Sequence, residues 1–450
     1  MLRALRQAAS ARARIAQIFR AGIARSGPAH APRLALDFFL RSPAGQSLRM
    51  RLGRARPGEF KEYTAELPAG FPAQRVAVRL SIPALPRSRI FEFTEHAGDL
   101  VLAVSKGGFA ISHDLGASWT FVRIQGYGGH QFLHVKSMGD GEYLAQAVRP
   151  DWNRRGRRRV DILVVDDRGN VRAQNRIDGS PWHACRAVDL KNGTLMYAEY
   201  PYDVAASMGA RFSSRVFRSR DRGRSWNAVF EQSGTDVRHF HFLQARPGVP
   251  GEWWLTSGDK PAESHIWVSR DDGDTWESLT DSFGDQVAID GVTYPRAIFR
   301  LTDLVWDGTD VLWGTDDLLQ GTKKDTAGPR VFKSPATGKL IPRVIGRCRW
   351  PVRNIVDVGD VFLLMTQGSI RPDARPEEKR PGVFLAPKHA APVHDVVHLF
   401  DAEIHSAIRT AFTYSKASRA AKDGVFFTAR SGTDIFPYGH KILKWEVWFS

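Results

Sequence analysis

The chain has 450 residues, of which 42% are hydrophobic, 25% charged and 11% aromatic, a composition that excludes a disordered or fibrous protein and supplies core for a folded soluble one. Two cysteines, Cys185 and Cys348, exclude a disulfide framework and are read as buried thiols. The formal net charge is +16, and residues 1–60 hold +10 of it, twelve arginines against Asp37 and Glu59.

Residues 1–25 are rich in Ala and Arg and contain no acid. At 100° per residue, Leu2, Leu5, Ile15, Ile18, Phe19 and Ile23 share one broad face, with Arg3, Arg6, Arg14 and Arg25 opposite and Arg12 an exception. This predicts an amphipathic basic helix with neither the apolar core of a secretory signal nor the length to span a bilayer. It suits an anionic membrane surface or a basic arm docked on a partner. The expected location is cytoplasmic, peripheral to the membrane. Without aromatic–basic interleaving or a known motif, nucleic acid is not expected as a partner. Arg33–Met50 reads as a second short helix and residues 51–60 as a Gly/Pro/Arg linker. The chain thus divides into a basic arm, 1–60, and a repeat domain, 61–450.

The domain repeats an apolar strand, a turn, a second apolar strand ending in polar residues, a variable loop, a third strand, a hairpin and a fourth strand. The expected second strands are Leu100–Val104, Glu142–Ala147, Thr194–Tyr200, Glu252–Thr256, Val311–Thr315, Val361–Thr366 and Val425–Ala429. The expected third strands are Gly108–Ile111, Val160–Val165, Arg215–Arg218, His265–Val268, Arg330–Lys333, Gly382–Ala386 and Lys441–Trp445. These pairs recur every 42 to 64 residues, and the reading is an all-β, seven-bladed β-propeller, with six blades as the alternative. Tyr63–Leu67 is expected to supply the missing fourth strand of the last unit and close the ring.

Three hairpins share the pattern Ser-x-Asp-x-Gly-x-Ser/Thr-Trp: Ser112–Trp119, Ser219–Trp226 and Ser269–Trp276. An eroded copy stands at Asp166-Asp167-Arg168-Gly169. In a turn, the carboxylate accepts N–H groups of its own loop, Gly supplies positive φ and Trp buries a large ring. The pattern resembles the Asp box, or BNR repeat, of the sialidase superfamily and related propellers. That resemblance implies structural hairpins on the rim away from the active face, with Asp114, Asp221 and Asp271 as turn-formers. Tyr197-Ala-Glu-Tyr200, Arg238-His-Phe-His241 with Ser257-Gly-Asp259 and Glu263-Ser264, and Trp313-Gly-Thr-Asp316 resemble recurring positions of a bacterial BNR-repeat group often described as glycosyl hydrolases. A strict sialidase is not expected. The Arg-Ile-Pro motif of that family is missing, Leu80-Ser-Ile-Pro83 being the nearest stretch, and Glu199 and Tyr200 should face opposite ways on a strand.

In a propeller, the ends of second strands and the starts of first strands open on one face, around the axis. The second-strand ends offer Glu199, Tyr200, Asp259, Asp316 and Gln367; the first-strand starts offer His183, His239, His241, Arg296 and Arg353. Glu263 and the run Arg154–Arg159 lie in the connecting loops, and a basic rim would attract an anionic ligand. A hydrolase would need two carboxylates, from Glu199, Asp259, Glu263 and Asp316. A lyase would need a base beside a uronate and a cation for its carboxylate, from His239, His241 or His183 with Arg296 or Arg353. Tyr200 and Trp313 are further candidate substrate-binding residues. No cofactor is required by either reading, although a metal at His239/His241 is open. The expected partner is an acidic polysaccharide or glycan, and the expected role hydrolase or lyase, with a non-catalytic glycan- or protein-binding propeller in surface polysaccharide assembly as the alternative.

Overall fold

The computed structural model describes residues 60–69, 71, 73–81, 90–96, 99–104, 107–114, 117–149, 159–178, 188–200, 213–234, 236–316, 329–367, 382–388, 396–401, 410–411, 425–432 and 441–450. The two expected N-terminal helices, His183, Cys185 and the loop run 154–158 lie outside them. Among the described residues no helix is long and apolar enough to cross a membrane.

The described residues are built of antiparallel meanders. Six have four strands each, paired in chain order. The first runs through Ile90–His96, Asp99–Val104, Gly108–Ser112 and Thr120–Arg123, and the second through Gln131–Gly139, Glu142–Val148, Arg159–Asp166 and Val171–Asp178. The third has Val188–Lys191, Thr194–Ala198, Ser213–Ser219 and Asn227–Ser233; the fourth has Phe240–Ala245, Trp253–Ser257, Ile266–Ser269 and Glu277–Ser278. The fifth has Leu304–Asp307, Asp310–Gly314, Arg330–Pro335 and Arg343–Arg347; the sixth has Val352–Val358, Val361–Thr366, Gly382–Pro387 and Val397–Asp401. The seventh sheet has five strands, in the order Phe60–Glu66, Arg75–Ser81, Lys441–Phe449, Val425–Gly432 and Thr410–Ala411. A separate hairpin, Gln286–Ile289 with Val292–Pro295, lies between the fourth and fifth sheets in the chain.

One expectation is corrected here. The strand that pairs with Lys441–Phe449 is Arg75–Ser81, with Val78 opposite Val447. Tyr63 lies on Phe60–Glu66, one strand further out, opposite Val78. The reason is in the side chains: Val76, Val78 and Leu80 are buried, whereas Glu62–Glu66 alternates exposed and half-buried residues, as an edge strand does.

Among the described residues, the second to sixth sheets bury apolar residues on both faces. In the fourth, Trp253, Leu255 and Trp267 pack with Leu195, Tyr197 and Val216 of the third sheet. Their neighbours Trp254, Ile266 and Val268 point the other way, packing with Leu304, Trp313 and Phe332 of the fifth. This is why the central strands read as unbroken apolar runs rather than alternating ones. Trp253, Trp254, Trp313 and Trp445 are fully buried. Each contributes on the order of 4 kcal/mol of gross transfer free energy before ordering entropy is subtracted.

The three hairpins share one hydrogen-bond plan. Asp271 Oδ1 accepts the Thr275 N–H at 2.8 Å and its Oδ2 accepts the Thr275 hydroxyl at 2.5 Å. Ser225 does the same for Asp221, and Ser118 for Asp114. The Ser269 and Ser219 hydroxyls donate to their aspartates and accept from the glycine N–H at 2.7 Å. The eroded copy keeps the plan with Asn170 in the hydroxyl's place, donating its N–H and Nδ2 to Asp166 at 2.8 and 2.9 Å. The hairpins also tie neighbouring sheets: Asp272 accepts from Trp253 Nε1 and Thr194 Oγ1, each at 2.7 Å. Gly273, at φ +88°, lies so close to Met196 that a Cβ there would stand 2.4 Å from its terminal methyl.

Two outcomes follow from these turns. Gly273→Ala loses about 2 kcal/mol of stability through the strained backbone and the displaced Met196, read as a lower urea midpoint. Hydrogen bonds from Thr275 hold the Asp271 carboxyl down at about 2. A depressed carboxyl contributes stability that is present above its unfolded pKa, near 4, and lost as the pH falls to about 2. Asp271→Asn therefore costs about 1 kcal/mol at neutral pH, and its urea midpoint converges on the parent's as the pH drops through that window.

Candidate functional site

The ends of the second strands and the starts of the first strands meet across the third to sixth sheets. Backbone pairing sets up the convergence. The Phe240 N–H points to the Glu199 carbonyl at 3.5 Å, the Asp316 N–H donates to the Arg300 carbonyl at 2.7 Å, and the Gln367 N–H to Pro351 at 3.0 Å. Hydroxyls repeat the link: Ser214 Oγ donates to the Arg238 carbonyl at 3.0 Å and Thr302 Oγ1 to Arg353 at 3.2 Å.

Bulges then aim particular side chains. The pairing of the fourth sheet steps between Phe240 and Phe242, leaving His241 as the extra residue. In the sixth it steps between Val352 and Asn354, leaving Arg353 as the extra residue. Such insertions re-aim one side chain without breaking the sheet.

The result is a polar chain that crosses four sheets. The Tyr200 ring, after the second strand of the third sheet, lies 4.1 Å from the His239 ring, centroid to centroid. His239 Nε2 and His241 Nε2 are 3.0 Å apart. Asp259 faces both, with Oδ2 3.5 Å from His239 Nε2 and Oδ1 3.7 Å from His241 Nε2. Arg238 donates to Asp259 Oδ2 at 3.1 Å. Arg300 donates to the Asp259 carbonyl at 3.0 Å and reaches its carboxylate at 3.5 Å. The Arg300 Nε also lies 3.7 Å from Asp316 Oδ2, which Arg353 meets at 2.5 Å. Arg353 in turn donates to Gln367 Oε1 at 3.0 and 2.8 Å. Glu263, on the helical turn Pro261–Glu263, pairs with Lys260 at 3.2 Å and stands 3.9 Å from Arg238. Gly258, at φ +149°, leaves room for the Arg300 stem, which a Cβ would approach at 3.1 Å.

The charge states follow from the surroundings. Burial penalises the charged imidazolium of His239 and holds its pKa down at about 4, so the ring is neutral at pH 7. For Asp259, burial acts upward, but hydrogen bonds from His239 and His241 outweigh it and keep the carboxyl far below the ordinary range. Asp259 is therefore a fixed anion at the centre of a cationic fork.

Of the candidates read from sequence, His239, His241, Asp259, Glu263, Asp316, Tyr200 and Arg353 come together. Three do not join them. Glu199 is 2% exposed and spends both oxygens on Arg215, with bonds of 2.9 and 3.0 Å and a third from the Arg215 N–H at 3.2 Å. It locks the third sheet, while Tyr200, the next residue, points at the histidines. Trp313 is a core residue, fully buried, stacked on Phe332 and bonded to the Ile298 carbonyl at 2.9 Å. Arg296 is a strut whose guanidinium donates to the carbonyls of Phe283 and Ser264 and faces His265.

Arg300 and Lys260 join the site although neither was expected from sequence. Arg296-Ala-Ile-Phe299 has the composition of a strand start but forms a 3-10 turn, and the first strand of the fifth sheet begins at Leu304. The signal was the preceding hairpin: Asp290-Gly291, both at positive φ between alternating residues, is a turn pair legible in sequence.

No family model matches the chain, and no curated protein matches it in sequence. Among solved structures the chain is similar to "YCF48 bound to D1 peptide", at 13% identity over 81% of this chain and 97% of that one, with a TM-score of 0.46. It is similar to a Niastella koreensis GH74 enzyme at 12% identity over 80% of this chain and 61% of that one, with a TM-score of 0.43. A chain of a mitotic checkpoint complex matches at 8% identity, over 88% and 97%, with a TM-score of 0.48. All three scores lie under 0.5, so the chemistry rests on the residues themselves.

The division between lock and site is testable. Glu199→Gln, which strands part of the Arg215 fork, lowers unfolding free energy by about 2 kcal/mol in urea. Because both Glu199 oxygens are engaged by Arg215, that variant keeps whatever ligand binding the parent has, measured by titration calorimetry.

Proposed function

We infer that the seven sheets are the blades of one propeller of Asp-box type, closed where Arg75–Ser81 joins Lys441–Phe449, and that its polar mouth acts on an anionic polysaccharide by β-elimination. The observation that carries this is the buried His239–His241 pair beside Tyr200, with His239 neutral at pH 7, set within a fork of Arg238, Arg300 and Arg353. Elimination from a uronate needs a neutral base to take the C5 proton, cationic groups to hold the adjacent carboxylate, and an acid to protonate the departing O4. The C5–H and C4–O4 bonds break, a C4–C5 double bond forms, and the proton removed is balanced by the one delivered to O4. In this reading His239 or His241 is the base, Tyr200 the acid and sugar platform, and the arginines with Lys260 the carboxylate grip.

Hydrolysis is supported less well. It needs one protonated carboxylic acid. Asp259 is held ionised, and Asp316 is engaged by the guanidiniums of Arg300 and Arg353. A second reading, a non-catalytic glycan-binding propeller, is favoured by one observation: the arginines and carboxylates form a continuous line of ion pairs, as a rigid recognition surface would.

Incubation with a panel of acidic polysaccharides separates these readings. Elimination gives ultraviolet absorbance of unsaturated uronate together with new reducing ends, and hydrolysis gives reducing ends alone. Tyr200→Phe is expected to lower turnover at least about 100-fold with binding retained. Binding with no turnover across the panel replaces the lyase reading with the binding one, and absence of both removes the glycan reading.

A further inference from the structure

The geometry at the base of this mouth carries more than a proton-transfer pair. His239 Nε2 and His241 Nε2 stand 3.0 Å apart, and each lies 3.5–3.7 Å from an oxygen of Asp259. One ligand atom from each of the three falls within 4.8 Å of the others. Two donors held about 2.1 Å from a common ion are separated by about 3.0–3.6 Å at bond angles of about 90–120°. The observed separations lie in or next to that range without any movement of the backbone.

Chemistry points the same way. Two imidazole nitrogens at this distance repel unless a proton or a cation stands between them. The Nε2 edges of both rings are turned to the shared point, while both Nδ1 atoms are buried without a hydrogen-bond partner. The bulge at His241 brings its ring to that point alongside His239. Behind Asp259, Arg238 donates to Oδ2 and Arg300 to the main-chain carbonyl, the kind of outer support that orients a ligating carboxylate. The rings are 0% and 4% exposed and the carboxylate 23%, so an ion there would sit at the floor with its remaining positions on the carboxylate's side. Two imidazoles and one carboxylate match zinc, cobalt, manganese or ferrous iron; magnesium and calcium favour all-oxygen sites.

We propose that His239, His241 and Asp259 bind one divalent transition-metal ion. The proposal does not rest on the substrate assigned above. An ion on the two Nε2 atoms takes up the lone pairs assigned above to the base, so metal binding and elimination by a histidine base exclude each other at these atoms.

The full-length protein, stripped with chelator and dialysed, is titrated with Zn²⁺ and separately with Co²⁺ by calorimetry, with elemental analysis of the dialysed complex. The expected result is one saturable equivalent per chain, a Co²⁺ visible spectrum displaced by Zn²⁺, and at least 100-fold weaker binding in His241→Gln and in Asp259→Asn. His113→Gln, at an exposed hairpin position, binds as the parent does. No saturable equivalent in the parent overturns the proposal, as does equal binding by the parent and both ligand variants. Should the variants fail to fold, the parent alone decides: Co²⁺ must shift the imidazole signals of two buried histidines, and a shift confined to exposed ones overturns the proposal.

Discussion

A four-stranded sheet with apolar residues on both faces cannot bury them alone. Trp253 and Trp254 are consecutive, point to opposite sides, and are both fully buried. That is satisfied only if the sheet is covered by a neighbour on each side, here the third and the fifth. The same demand applies to the neighbours, and a row of sheets results in which the strand ends of one stand beside the strand starts of the next. The polar site is a consequence of this packing. Tyr200, His239, Asp259, Arg300, Asp316 and Arg353 belong to four different sheets, yet each occupies the corresponding end of its own.

The two ends of the strands do different work. At one, the Asp hairpins close the third-to-fourth-strand turns of the first four sheets on themselves, with carboxylates that accept from their own loop, and Thr194, Arg218 and Asn175 of a preceding sheet donate to the hairpin of the next. At the other, charged groups pair across sheets rather than within a turn. A carboxylate in a hairpin is satisfied by three local hydrogens and is inert. Asp259 is satisfied by arginines and histidines from other segments, so its surroundings can be rearranged by a ligand without unfolding a turn. The physical distinction between a structural and a functional acid lies there, since both kinds are held ionised.

Much of this was legible in the residues. The second strand Val361–Thr366 was read to the residue, and the third strands to within a few positions at their ends, because central strands buried on both faces are short apolar runs bounded by Gly, Asp and Ser. The hairpins were legible because Ser, Asp, Gly and Trp each have one job in that turn. The convergence of His239, His241, Asp259 and Asp316 followed from strand order alone. What was not legible depends on contacts no local pattern encodes. Glu199 has the look of a site acid, but Arg215 lies across the ladder and takes both its oxygens. Trp313 follows an apolar strand and could face either way; its indole finds a carbonyl inside. The bulges that turn out His241 and Arg353 leave no mark in composition. The closing strand was misplaced because Tyr63–Leu67 and Arg75–Ser81 are both β-like, and only burial distinguishes the inner from the edge position.

The central claim is that charges from separate sheets meet at one mouth. A double-mutant cycle on Asp316 and Arg353 tests it most directly, since the two lie on different sheets, far apart in sequence, and touch only if the packing is right. Unfolding free energies of the parent, Asp316→Leu, Arg353→Met and the double variant give the coupling. The account predicts a coupling of about 1–3 kcal/mol, the double variant being less damaged than the singles together. A coupling within about 0.3 kcal/mol of zero would contradict it.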